Sequence, residues 1–155
     1  DAAKANAIIR SFLTKLYNEK LSEAENVLIA TLMHNLTRLE RINDHTAGIA
    51  KKAEELRNGR LEYSEEILAI LRDLSGKTMA CYVDVIDAFA KKSHADITAL
   101  TDEIQMVYEH CKALHLERVS NAEYSIKSGT IFLETVRHLS RIASNSKSIA
   151  ENLCS

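Results

Sequence analysis

The 155-residue sequence predicts an all-α protein, an antiparallel helical bundle of about five long helices. Three observations carry the prediction. Proline is absent and glycine occurs only at positions 48, 59, 76 and 129, so almost nothing interrupts a helix. Apolar residues recur at the helical period throughout. Finally, Leu39, Arg41, Ile42, Ile49 and Ala50 return without gaps as Leu139, Arg141, Ile142, Ile149 and Ala150, a shift of one hundred positions that marks an internal duplication. The residues held in common are mostly those that pack a helix. Glu40 and Asp44 become Ser140 and Ser144, which leaves the carboxylate pair in one copy alone.

The first helix is expected from about Ala2 to Tyr17, with Ala7, Ile8, Phe12 and Leu16 on its apolar face. Ser22 opens the second. Its hydroxyl can cap the backbone while Glu25 reaches back in a capping box, and the helix runs to a stop at Asn58-Gly59. Leu32, Leu36, Leu39, Asn43, Ala50 and Ala53 form the expected buried stripe. A third helix follows Ser64, with Glu65 and Glu66 suited to its positive start and Lys91 and Lys92 to its negative end. Leu68, Leu71, Met79, Val83 and Ile86 are its expected core residues. Ser93 with Asp96 opens a fourth helix ending near Leu116, and Ser125 opens a fifth reaching about Leu153. The shift of one hundred lays the first helix on the C-terminal half of the fourth and the second on the fifth. The third has no earlier counterpart. The chain therefore reads as one domain, with 1–58 a partial first repeat and 61–155 the second. With no methionine before Asp1, it reads as a fragment of a longer protein.

Composition narrows the function. Twenty basic and 22 acidic side chains balance, which argues against a sequence-independent grip on nucleic acid and against a polybasic membrane patch. Cys81, Cys111 and Cys154 are odd in number, far apart and set among apolar neighbours, so they read as small hydrophobes in a reducing compartment. No apolar run is long enough to span a bilayer and no secretory signal is present, which makes a cytoplasmic location the expectation. A di-metal carboxylate enzyme would need Glu-x-x-His on two helices, and the sequence has none. Nor do the six histidines form a nucleophile-base motif or a zinc helix, and His34, His94, His110 and His138 read as surface or helix-end residues.

One pattern does carry chemistry. Glu40 and Asp44, four residues apart, share a helix face one turn from each other, and two like charges there cost ~0.2–0.5 kcal/mol unless something positive joins them. That something is either a metal ion, for which carboxylate oxygens suit iron, manganese or magnesium, or the nearby Arg41 and Lys51. A complete metal site needs ligands from another helix.

Glu40-Arg41-Ile42-Asn43-Asp44-His45 resembles the E-R-I-x-D-H helix of the PhoU family of phosphate-uptake regulators. His115-Leu116-Glu117-Arg118-Val119 is similar to the family's H-L-E-R-L ending of the preceding helix, and Arg137-His138-Leu139-Ser140-Arg141-Ile142 occupies the second copy's motif position. The resemblance implies paired three-helix repeats, here with the first truncated, and a regulator rather than an enzyme. It implies iron or zinc held at paired acidic motifs. It also implies a role in phosphate transport, either free-standing or as the cytosolic C-terminal domain of a sodium-phosphate cotransporter, at the inner face of the membrane with a transporter as partner and a homodimer as a further possibility. The matching metal positions are Glu40, Asp44, Asp1 and Ala5 in the first repeat, and Thr101, Gln105, Ser140 and Ser144 in the second. The second set is neutral and cannot hold a cation cluster; the first offers Glu40, Asp44 and Asp1 for a single ion. A generic helical dimerisation or signalling bundle is the alternative that periodicity alone supports. Arg137, Ser140, Arg141, Ser144 and Ser148 form a positive, hydroxyl-rich face suited to an anion or an acidic partner.

Overall fold

The computed structural model describes residues 2–120 and 126–153. Its helices are α1 (Ala2–Tyr17), α2 (Glu23–Asn58), α3 (Glu65–Lys91), α4 (Thr98–Ser120) and α5 (Ile126–Leu153). The local signals act as their chemistry requires. Ser22 accepts from the Glu25 amide, and the Glu25 carboxylate accepts from the Ser22 amide at 2.8 Å, closing the capping box. The stop after Asn58 uses Gly59 in an ordinary right-handed conformation, and it is Arg60 that takes the left-handed one, with φ 50°. α4 begins later than Ser93 suggests: Lys92 closes α3 in the left-handed region, and the Asp96 carboxylate accepts from the Thr98 amide at 3.1 Å. α4 also continues past Leu116 to Ser120, and the expected cap Ser125 lies outside the described residues.

α5 is the hub. Its backbone runs close to α2, α3 and α4; the α1 backbone runs close to α2 alone, α3 also approaches α4, and the backbones of α2 and α3 stay apart. Leu74, Cys81 and Val85 of α3, Ile104 of α4 and Val136, Leu139 and Ile142 of α5 fill the core with Ile42 of α2. The buried Cys81 and Cys111 are free thiols; burial pushes both up, Cys81 to about 11.

Three expected stripes are displaced. On α1 the buried residue is Leu13, while Ala7, Ile8 and Phe12 are exposed, because the α1 backbone lies close to α2 alone and one apolar row suffices there. On α2, Ile29, Asn35, Leu36 and Ile42 are buried; Leu32 and Leu39 are half-buried, and Asn43, Ala50 and Ala53 are exposed. On α3 the core residues are Leu74, Thr78, Cys81, Val85 and Ala88, with Leu68 and Leu71 half-buried and Met79, Val83 and Ile86 exposed. These helices carry two apolar rows each, and periodicity alone does not say which one α5 covers. The second rows of α2 and α3 border an open groove. One part of it, of about 560 Å³, lies between Asn43, Thr46 and Ala50 of α2 and Ser75, Met79 and Tyr82 of α3, floored by Leu139 and Ile142.

α2 and α5 run antiparallel, and their contacts obey the hundred-residue shift. Arg38 faces Asn145 and His45 faces His138; His34 faces Asn152 and Lys52 faces Glu134. Shifting one member of each couple forward by one hundred and its partner back converts it into the other. Ile42 and Ile142, both buried, sit where that two-fold relation crosses the interface.

Candidate functional site

The carboxylate face of α2 is answered by α1. The Arg10 guanidinium donates to Glu40 Oε2 at 2.6 Å and to Thr37 Oγ1 at 3.3 Å. Neither Arg41 nor Lys51 takes that part; both are exposed. Arg10 is thirty positions from Glu40, beyond what spacing along one helix reveals. Asp44 is exposed and makes no ion pair with a described residue. Asp1 lies outside the described residues. Among the described residues no group of three His, Cys, Asp or Glu side chains converges, so Glu40 and Asp44 alone do not make a cluster site.

In the second copy neutral groups meet, and the partner differs. Ser140 Oγ donates to Gln105 Oε1 at 2.7 Å, so the two positions that correspond to a cross-helix ligand pair do meet. Thr101 is buried and turns its hydroxyl to the Thr98 carbonyl, while Lys147 ties to Asp102 at 3.1 Å. There a hydroxyl donates to an amide oxygen.

The seam between α2 and α5 is the polar feature that spacing did not reveal. His45 and His138 bring their Nδ1 atoms to 3.0 Å, so one imidazole donates and the other accepts. Burial lowers His45 first, and the positive charge of Arg141 adds to it, against the pull of Asp44. Burial also lowers His138, with His45 as the next cause. Both groups favour the neutral form in the folded state. Their contribution to stability is therefore fully present above the unfolded value of ~6.5 and is lost as pH falls through it toward the depressed folded values. Thermal melts from pH ~8 down to ~5, before most carboxylates titrate, are expected to show a falling midpoint. The His45→Gln/His138→Gln variant is expected to flatten the fall.

Gly48 makes room for this pair. A Cβ there would lie 2.5 Å from His138 Cε1 and 2.6 Å from Nε2. Gly48→Ala gains ~1 kcal/mol of helix propensity, yet it is expected to destabilise, because the imidazole must leave its partner. In a His138→Ala background the same change is expected to stabilise, a coupling of ~0.5–3 kcal/mol readable from a double-mutant cycle.

An all-helical bundle whose α2 and α5 meet along a two-fold seam is what this fold defines. Over 128 residues, 81% of the chain, the sequence is 30% identical to the phosphate-specific transport system accessory protein PhoU homolog of Streptococcus pneumoniae serotype 4 strain TIGR4, and equally to that of strain R6. The chain carries a PhoU-family domain. The match spans 58% of the length of these relatives. No family model matches the chain, and no solved structure does.

Proposed function

We propose that the domain is a non-catalytic regulatory module of phosphate transport that works by contact of its helix faces with a transport protein. The carrying observation is the likeness over four fifths of the chain to proteins named as accessory to a phosphate-specific transport system. The two-fold couples of α2 and α5 support treating 1–58 as a partial first repeat and 61–155 as the second. The finer reading is a cytosolic portion of a sodium-phosphate cotransporter-related protein at the inner face of the membrane. Among the described residues no helix is long and apolar enough to cross a membrane, so on this reading transport itself belongs to another segment or subunit. Affinity purification of the full-length protein from its own membranes is expected to bring a phosphate transporter with it or within the same polypeptide; a preparation with neither would end the reading. A homodimer is part of the same proposal, and a strictly monomeric mass by light scattering at high concentration would remove it.

Asp44, which makes no ion pair with a described residue, favours a second reading, in which Glu40, Asp44 and Asp1 hold a single iron or zinc ion that tunes the regulator. Elemental mass spectrometry after exposure to ferrous iron or zinc tests it. Stoichiometric metal in the native protein, lost in Asp44→Ala, is the expected result. Metal in neither protein would leave an interaction scaffold.

A further inference from the structure

Among the described residues the two repeats share one exposed charge at the hundred-residue shift. Of the residues kept at the hundred-residue shift, Leu39, Ile42, Ile49 and Ala50 have apolar counterparts, whereas Arg41 and Arg141 are exposed in both copies and packing does not account for them. They stand together in space. Because Arg38 faces Asn145 and His45 faces His138, while His34 faces Asn152 and Lys52 faces Glu134, Arg41 is level with positions 142 to 145 and lies about one to four residue rises, ~1.5–6 Å, from Arg141 along the seam. The two helix axes are ~8–10 Å apart at such a contact, so the two guanidinium groups flank one strip of surface. Around α2, Arg41 and Asn43 lie on opposite sides of Ile42, which puts this strip on the side of the pair away from the groove.

The charge there is not neutralised. Arg41, Arg137 and Arg141 make no salt bridge or side-chain hydrogen bond to a described residue, while Arg10, Arg57, Arg72, Lys77 and Lys147 are each held by a carboxylate. All three arginines act on His45, against Asp44 alone. Arg38 stretches along the seam to His34 and Asn145, and its buried Nε has no partner among the described residues.

We propose that this seam is an anion site for a phosphate-type oxyanion, gripped from both sides by Arg41 and Arg141, with Arg137 at its rim. A planar guanidinium presents two parallel donors. A carboxylate, with two oxygens, satisfies one such fork; a tetrahedral phosphate has oxygens for two forks arriving from opposite sides. The inference goes beyond the transport reading and does not depend on it.

The shared chemistry has two sources, soluble phosphates and phospholipid head groups, and one experiment separates them. Tripolyphosphate and inorganic phosphate are titrated calorimetrically into the protein at ~0.15 M salt, where charges more than ~8 Å apart are screened. Phosphatidylcholine vesicles doped with phosphatidic acid are tested by co-sedimentation. Arg41→Gln/Arg141→Gln is compared with Arg57→Gln/Arg72→Gln, which removes the same charge elsewhere, and melts establish that both fold. Binding of a probe that weakens at least about tenfold in the first variant and by less than about twofold in the second is expected. A soluble probe showing that pattern assigns a free phosphate, and vesicles alone showing it assign a head group. No binding of any probe, or equal weakening in the two variants, overturns the site.

Discussion

Leu74→Ala is expected to cost ~2–5 kcal/mol, the range for emptying a fully enclosed leucine position that its neighbours cannot collapse into. Leu74 is fully buried in α3 and belongs to the core built around α5. Domains of this kind are stable by only ~5–15 kcal/mol in all, so the loss is a large share. Near this chain length each kcal/mol moves the melting midpoint by ~2–4 °C, which makes the drop readable in a single thermal scan. Met79→Ala on the same helix removes a similar volume at 62% exposure and is expected to stay within ~0.5 kcal/mol. Equal losses at both positions would mean that α3 faces α5 with its other row.

The second large effect comes from the two-fold relation. Ser146 is fully buried and donates to the Ile142 carbonyl at 3.0 Å; its counterpart Thr46 donates to the Ile42 carbonyl at 2.9 Å but is exposed at the groove. Leucine at 146 must force neighbours off their rotamers and is expected to cost ~1–3 kcal/mol. Leucine at 46 meets open space and is expected to change stability by less than ~0.5 kcal/mol. Chemical denaturation of both variants reads the contrast directly. A matching loss at 46 would show that the groove is closed in solution, by a second copy or by rearrangement of α1.

Much of the helix pattern was legible because its signals are local. The capping box at Ser22 and Glu25, the stop at Asn58-Gly59 and the acids after Ser64 act within a turn of where they stand, and the bounds of α1, α2 and α3 follow from them. The facing of the helices was less legible. Met79, Val83 and Ile86 are as apolar as Leu74, Cys81 and Val85, and only the position of α5 selects between the rows. At the candidate site, the meeting of Gln105 with Ser140 was implied by the resemblance. The grip of Arg10 on Glu40 and the pairing of His45 with His138 were not, since they join residues thirty and ninety-three positions apart on different helices. His138, read from the sequence as a surface or helix-end residue, is half-buried in the seam. The signal that would have found it is Gly48, whose missing side chain leaves the space an imidazole on α5 fills.

The seam and the groove lie on opposite sides of the α2–α5 pair and divide the molecule by chemistry. One side offers arginines with no carboxylate partner among the described residues, the other uncharged apolar rows. On the proposed function, this arrangement would let a small anion and a protein partner be engaged at once through helices that share one interface. The proposal that the domain serves phosphate transport is tested most directly by uptake of labelled phosphate in cells lacking the gene for the full-length protein. Uptake that no longer adjusts when external phosphate is raised or lowered, and that recovers with the native gene, is the expected result. Uptake that still adjusts normally in the deleted cells would contradict it.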